Sequence, residues 1–384
     1  MAGVAVPFAV LRSGGSVSDV GYVAAAGLLP TVGFLLFGGV LADRMPRQRV
    51  MVAANVVQGL AQIAFALLVL TGNALVWEMM ALTAARGCAF GFYMPAAQGL
   101  LPQTVAADQL GSANALRQLG LNGGRIAGAA LGGLVVAVVG PGWGLFADAA
   151  SYAVAATLRA GMRFADLPVV VRTGVVRELR HGWRAFTSRR WLWVISAQLA
   201  IVNAIYVGAF GVLGPVIADR QLGGASTWGL VIAAQSAGAA LGATLMLRYR
   251  PTRLLHAASL AVPLMALPLL ALAAPLSSVA VHAGLVAAAA LLAGAGSEVF
   301  EVNWVTAIQE QIPSDLLSRV AAYDAVGSYG LGPIGTTLAG PLAVAIGAAT
   351  CLTGGGLVII ASAGVVLTMA EIRNLARGAT PAGA

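Results

Sequence analysis

The sequence is poor in charge. Only 9% of its 384 residues are Asp, Glu, Lys or Arg, it contains no Lys, and 59% of its residues are hydrophobic. Soluble proteins have roughly 25% charged residues, so this chain cannot cover a water-facing surface with polar groups. The composition excludes a cytosolic enzyme, a nucleic-acid-binding protein and a disordered chain. It predicts an all-α protein that crosses a membrane many times.

The chain also lacks the residue arrangements of catalytic and metal sites. Its two cysteines, Cys88 and Cys351, lie in separate apolar stretches without metal-ligand spacing. The sequence has no HExxH, no CxxC, no Gly-rich phosphate loop and no Ser-His-Asp arrangement. We therefore expect neither an enzyme nor an ATP-driven pump. We expect no cofactor, and an ion gradient as the energy source.

Apolar stretches long enough to span a bilayer recur along the chain. Eleven of them lie near residues 20–42, 50–71, 76–99, 112–139, 143–162, 191–218, 226–247, 254–275, 279–301, 321–347 and 350–371. A twelfth, residues 1–11, is too short to span.

The arginines predict the orientation. If the loop at residues 43–49 is cytoplasmic, 18 of the 22 arginines face the cytoplasm, and only Arg12 and Arg220 face outward. The other two, Arg86 and Arg125, lie within spans. Because basic residues concentrate on the cytoplasmic side, this distribution places the C-terminus in the cytoplasm.

The chain is predicted to form two helical bundles, residues 1–162 and 191–384, joined by a basic cytoplasmic linker at 163–190. Within the linker, apolar residues recur at helical spacing, which indicates an amphipathic helix on the membrane surface; a solvated charged loop is the alternative. These apolar residues are Val176, Leu179, Trp183 and Phe186.

An internal repeat supports two parallel halves. Its matched residues lie 207 positions apart: Asp108 and Asp315, Gly120 and Gly327, Gly128 and Gly335, Gly133 and Gly340. Parallel six-helix repeats are typical of one large class of secondary transporters. The same offset aligns residue 1 with the middle of the seventh span, so we expect the first helix to lack its N-terminal part.

The loop after the second span reads GGVLADRMPRQR. It resembles the signature loop of the major facilitator superfamily, with matches at Gly39, Asp43, Arg44 and Arg49, and with Arg47 beside the position of a further basic residue. It is most similar to the branch containing the enterobactin exporter and the macrolide and multidrug efflux proteins.

The resemblance implies the major facilitator fold, with two pseudo-symmetric six-helix bundles around a central cavity, and a monomer. It also implies that the loop acts as a gate, stabilising the outward-open state by docking near the start of the eleventh span. Positive-inside topology alone is the other explanation of the loop's charges.

The fifth span is similar to the antiporter motif of exporter branches, although Ala129 replaces its proline. The motif glycines are Gly124, Gly128, Gly132 and Gly133. Simple close packing of helices is an equally good explanation of these small residues.

Charges inside the membrane are costly and are therefore candidate functional residues. Arg86 partly matches the superfamily's fourth-helix motif, which implies a role in proton coupling; a static ion pair is the alternative. Arg125 is a cavity candidate. Asp148 could pair with an arginine, bind a cationic substrate or reach the interface. Further candidates for the cavity wall are the polar residues Asn122, Asn203 and Gln235.

A second charged group lies near the predicted cytoplasmic ends. It comprises Arg117, Glu298, Glu301 and Asp324. These residues could form a cytoplasmic gate together with the Asp43 loop, or an ordinary interfacial cluster.

Together these features predict a transporter in the bacterial inner membrane that exports small amphipathic molecules, such as drugs, macrolides or siderophore-like compounds. We expect proton antiport with alternating access, and partners limited to substrate, protons and lipid, without nucleic acid. An importer or facilitator of the same fold remains an alternative. So does a non-transporting membrane sensor or a decayed transporter.

Overall fold

The computed structural model describes residues 1–100, 110–162, 183–249, 251–274, 276–312 and 314–375. Side chains are described for these residues except 36–44, 98–99, 110–119, 314–319 and 321–322. The described chain is built from helices throughout, as expected of an all-α membrane protein.

Six helices lie in the described residues of the first half. They are α1 (Ala2–Arg12), α2 (Val17–Arg44), α3 (Arg47–Leu70), α4 (Val76–Leu100), α5 (Leu110–Val138) and α6 (Pro141–Ala160).

The second half begins with a long helix, α7, which is α-helical over Arg190–Ile205, π-helical over Tyr206–Leu213 and α-helical again over Gly214–Gln221. It continues with α8 (Ala225–Arg248), α9 (Leu254–Ala273), α10 (Val279–Gln311), α11 (Ser314–Tyr329), α12 (Gly332–Ile346), α13 (Ala348–Leu367) and α14 (Ala370–Asn374). Helices thus occupy all eleven apolar stretches predicted from the sequence, and α11 and α12 share one of them.

Local sequence explains where several helices begin. Ser16 and Asp19 cap α2 reciprocally: the Ser16 N–H donates to Asp19 Oδ2 at 2.7 Å, and the Asp19 N–H donates to Ser16 Oγ at 3.2 Å. Gly140 and Gly347 precede α6 and α13 with φ of 98° and 89°. These left-handed conformations suit glycine, so each residue ends one helix and starts the next at a sharp turn.

Nine helices in the described ranges are long and apolar enough to cross a membrane. The helices α4 and α6, which are not among the nine, contain Arg86 and Asp148. The protein is therefore a multi-pass membrane protein in which two helices hold charged groups at mid-length.

The chain divides into two compact units. Unit 1 comprises Met1–Val171, Pro215–Leu230 and Thr336–Gly340; unit 2 comprises Arg172–Gly214, Val231–Gly335 and Pro341–Ala384. In unit 1, α4 packs against α2, and α3 packs against both α4 and α6. In unit 2, α7 packs against α11, and α9 against α10. The division at a 163–190 linker remains a prediction.

Most of the predicted amphipathic linker helix, including Val176 and Leu179, lies outside the described residues. Its described end, residues 183–187, is helical. There the rings of Trp183 and Phe186 lie 5.4 and 6.3 Å from the Tyr323 ring, between centroids. This end therefore packs against Tyr323 of unit 2.

Candidate functional site: buried charges in unit 1

Unit 1 holds an arginine and an aspartate close together inside the helix bundle. Arg86 Nη2 of α4 lies 3.9 Å from Asp148 Oδ2 of α6, and their side chains are only 15% and 12% exposed. Because a charge in a membrane interior is costly, its counter-ion stabilises it. The structure thus brings together two residues that the sequence nominated separately.

Tyr152 completes this cluster one turn along α6. Its hydroxyl accepts a hydrogen bond from Arg86 Nη2 at 3.4 Å. Gly59 of α3 leaves room for the Tyr152 side chain, since a Cβ on residue 59 would lie only 3.3 Å from Tyr152 Cβ. Asp148 Oδ1 also accepts from the Ala2 N–H at 3.4 Å and lies 3.6 Å from the Met1 amino group.

The Arg86–Asp148 pair is loosely engaged. At 3.9 Å the two groups attract each other electrostatically but are too far apart for a hydrogen bond. Within the described part of the chain, Asp148 Oδ2 and Arg86 Nε have no hydrogen-bond partner. The pair therefore keeps hydrogen-bonding capacity for a proton, a cation or water.

The predicted gating loop is described only in part. Gly39, Asp43 and Arg44 belong to the α2 backbone, but their side chains lie outside the described set. Arg47 is partly buried and Arg49 is exposed, both in the first turn of α3. The gate remains a prediction.

Gln48, which departs from the signature pattern, has a structural role. Its side-chain Nε2 donates to the backbone oxygens of Arg159 at 2.6 Å and Met162 at 2.7 Å. These carbonyls lie at and just beyond the C-terminal end of α6, where the i+4 hydrogen bonds of the helix end. Gln48 thus ties the start of α3 to the end of α6.

The four antiporter-like glycines differ in how closely other segments approach them. The Cβ positions of Gly128 and Gly132 would lie 3.3 and 3.1 Å from atoms of Met1, and that of Gly133 only 2.8 Å from the Gly229 Cα. Gly124 has nothing within 4 Å. Three of the four therefore permit close approach of another segment in unit 1, while any role in antiport remains a prediction.

The cavity candidates have different surroundings. Asn122 is buried, whereas Arg125 is exposed. In unit 2, Gln235 Nε2 donates to the Tyr206 hydroxyl at 2.8 Å, and Asn203 Nδ2 donates to the Ser328 carbonyl at 3.0 Å. These two amides connect α7 to neighbouring helices.

Asp324, a predicted gate residue, accepts three hydrogen bonds in unit 2. Oδ1 accepts from Ser196 Oγ at 2.6 Å and from Ser328 Oγ at 3.2 Å, and Oδ2 accepts from Trp304 Nε1 at 3.0 Å. These charge-assisted bonds fix the carboxylate in place.

The other predicted gate residues are only partly described. Glu298 and Glu301 lie one turn apart on α10, and Asp324 and Glu298 are close enough for their charges to repel that of Glu301. The Arg117 side chain lies outside the described set. The predicted gate network is therefore untested.

Sequence reasoning missed several polar partners. Tyr152, Tyr206, Ser196 and Trp304 each contact a nominated residue. For Tyr152 a signal was present, because it follows Asp148 by four residues and therefore shares its helix face. No group of three metal-ligating side chains occurs in the ranges that the structure describes.

The helical membrane fold defines the class: the protein is an all-α, multi-pass membrane protein. The sequence pattern of the family described as transmembrane secretion effectors matches residues 1–380. The chain belongs to this family of the major facilitator superfamily. It is therefore a transporter and not an enzyme.

Relatives and solved structures agree with this assignment. The chain is 28% identical over 363 residues to the multidrug efflux pump Tap of Mycolicibacterium fortuitum, covering 90% of this chain and 85% of that protein. It is also 28% identical over 383 residues to Tap of Mycobacterium tuberculosis strain H37Rv, covering 97% and 90%.

Among solved structures, a point mutant of the nucleoside transporter NupG superposes with a TM-score of 0.73. It covers 96% of this chain and 94% of its own, at 11% identity. At this identity the likeness establishes the fold alone. As a major facilitator transporter, the protein has a small-molecule substrate and is embedded in the membrane.

Proposed function

We propose that this transporter exports small amphipathic molecules from the cytoplasm in exchange for protons that enter the cell. The export direction and the substrate class are supported by the mycobacterial relatives, which are named multidrug efflux pumps and align over most of their length. The observation that carries the proposal is the loose, buried Arg86–Asp148 pair in unit 1.

Proton coupling follows from the charge of Asp148. When Asp148 is ionised, it stabilises Arg86 across 3.9 Å. When it takes up a proton, that attraction is lost, and Arg86 keeps its 3.4 Å contact with Tyr152. One carboxylate can be neutralised by a proton or by a cationic group of the substrate, so the two compete. Reciprocal competition of this kind couples the two binding events.

Alternating access would expose this pair to each side of the membrane in turn. In our proposal, the loop containing Asp43, Arg44 and Arg49 stabilises one of the two states. The charged group of Glu298, Glu301, Asp324 and Arg117 contributes to closure at the cytoplasmic end. Breakable contacts of this type suit a two-state element.

The remaining parts of the proposal concern the cellular setting. We place the protein in the bacterial inner membrane as a monomer, as its family suggests. We place its C-terminus in the cytoplasm because of the arginine distribution. We propose that it requires no cofactor and uses only the proton gradient.

The experiment is ethidium and antibiotic efflux from bacterial cells that produce the chain, with and without a protonophore. Asp148→Asn removes the ionisable group and keeps the size of the side chain. Asp219→Asn, at an exposed position of α7, is the matched control. Membrane abundance is measured for every variant.

The proposal predicts protonophore-sensitive efflux that is lost in Asp148→Asn and retained in Asp219→Asn. Accumulation of the compounds inside the cells would support an importer or facilitator instead. Efflux that survives in Asp148→Asn with its protonophore sensitivity intact would remove Asp148 from the coupling mechanism.

A further inference from the structure

Polar side chains repeat every seven residues on one face of α3. Gln48, Asn55 and Gln62 have this spacing, and Gln58 lies between the last two. The three inner amides are buried: Asn55 and Gln58 are 4% exposed, and Gln62 is 0% exposed. Two turns of a helix take about seven residues, so these side chains form a polar row along the buried face.

The contacts between α3 and α6 place this row beside the charge pair. Gln48 contacts the backbone of Arg159, a Cβ on Gly59 would lie 3.9 Å from the Ala149 oxygen, and a Cβ on Gly142 would lie 2.7 Å from Leu70. The two helices are therefore antiparallel. By the same register, Gln62 lies at the level of Asp148, and Asn55 lies about two turns closer to the start of α3.

The helices α4 and α6 repeat the pattern. Arg86 of α4 donates to the Tyr152 hydroxyl of α6 at 3.4 Å. Seven residues further along both helices, the arginine is on α6 and the tyrosine on α4: Arg159 Nη2 donates to the Tyr93 hydroxyl at 2.9 Å. The second pair lies beside Gln48, at the end of unit 1 where α3 begins.

We call these side chains the polar seam: Gln48, Asn55 and Gln62 of α3, Arg86 and Tyr93 of α4, and Asp148, Tyr152 and Arg159 of α6. The seam is one-sided. Beyond Gln62, the buried face of α3 continues with Phe65 and Ala66, both 0% exposed. The seam thus leads from Asp148 towards the start of α3, which the arginine distribution predicts to be cytoplasmic, and not towards the opposite end.

The seam contains hydrogen-bonding groups that no described residue satisfies. Neither the oxygen nor the nitrogen of the Gln62 amide has a partner among them, and neither does Asn55 Nδ2, Asp148 Oδ2 or Arg86 Nε. Unsatisfied polar groups are costly inside a bundle. Proteins commonly satisfy such groups with buried water, which needs two or more polar partners.

We propose that the polar seam binds a chain of water molecules and is the route by which the proton on Asp148 reaches the cytoplasm. This rests on the proposed coupling role of Asp148. In the step, the O–H bond of protonated Asp148 breaks and its electron pair stays on the carboxylate. The proton forms a new O–H bond to a neighbouring water. It then passes from water to water along the seam, past Gln62 and Asn55. The charged and titratable groups around Asp148 are Arg86, the Met1 amino group and Tyr152.

The test follows protonation of Asp148 directly and needs no transported substrate. The full chain is reconstituted in lipid bilayers, and infrared absorption is recorded after a pH jump. The carboxyl band that Asp148→Asn removes reports on Asp148. We expect Gln62→Leu and Asn55→Leu to slow its appearance by about tenfold or more, since an apolar side chain removes a water ligand. Gln198→Leu, at a buried glutamine of unit 2, is the matched control and should leave the rate unchanged.

A second substitution separates water binding from packing. Gln62→Ser keeps a polar group and adds space, so the seam predicts a rate like that of the unchanged protein. A packing role predicts the reverse, with Gln62→Leu tolerated and Gln62→Ser impaired. That reversal, or equal rates in all variants, would overturn the seam. Slow protonation in Gln62→Leu combined with efflux that ignores protonophores would instead retain the seam and reject proton-coupled export.

Discussion

Removing Arg86 should expose the cost of an unpaired charge on Asp148. At the observed 3.9 Å, two unit charges attract each other by about 4 kcal/mol at an effective dielectric constant of ~20. The Met1 amino group, 3.6 Å from Asp148, offsets part of this loss. We therefore expect Arg86→Leu to destabilise the protein by about 2–4 kcal/mol, at or just below the range for breaking a buried ion pair.

The same reasoning predicts that stability is partly restored in the double variant. Arg86→Leu with Asp148→Leu removes both charges of the pair, and apolar replacement of a buried pair is often neutral or stabilising. The double variant should therefore be much more stable than the sum of the two single changes predicts. It should nevertheless transport nothing, because it lacks the group that binds the proton.

The assay is thermal unfolding of the purified protein, with Arg220→Leu as an exposed control. Arg86→Leu should lower the Tm by about 4–16 °C, since 1 kcal/mol shifts the Tm by roughly 2–4 °C in domains of about 150–250 residues. The control should remain within about 0.5 kcal/mol of the unchanged protein. Equal stability of Arg86→Leu and the unchanged protein, or additive losses in the double variant, would refute the argument.

Three further predictions concern helix contacts and the gate. Gly133→Ala should lower the Tm because its Cβ would lie 2.8 Å from Gly229, whereas Gly124→Ala, with nothing within 4 Å, should raise stability by roughly 0.5–1 kcal/mol; both are read by thermal unfolding. Gln48→Leu removes the bonds to the end of α6 and should cost about 1–2 kcal/mol, measured in the same way. Asp43→Asn should reduce efflux at unchanged membrane abundance; normal efflux would eliminate the gate role of the loop.

Hydropathy predicted the helices well because the bilayer imposes one length and one composition on every span. It could not predict the breaks within them. The π-helical segment Tyr206–Leu213 has no counterpart in the hydropathy pattern. The separation of α11 from α12 falls at Gly332 and Pro333, where proline cannot continue the preceding helix, and hydropathy does not register this signal.

The sequence predicted several residues of the candidate site but not the contacts between them. Arg86 and Asp148 stood out because charge is rare in a membrane interior, but their pairing depends on how α4 and α6 both pack against α3. Gln62 was not singled out from the sequence, although it is the same kind of residue as the nominated Gln235. The seven-residue spacing of Gln48, Asn55 and Gln62 indicates a shared helix face. Only the register of α3 against α6 shows that this face lies beside Asp148.

Proton movement in proteoliposomes tests the central claim most directly. An outward gradient of ethidium or an exported antibiotic is imposed without a pH gradient, and the internal pH is recorded with a dye. Our account predicts proton movement opposite to the compound in the unchanged protein and in Asp219→Asn, and none in Asp148→Asn. Transport of the compound by the unchanged protein with no accompanying proton movement would contradict it.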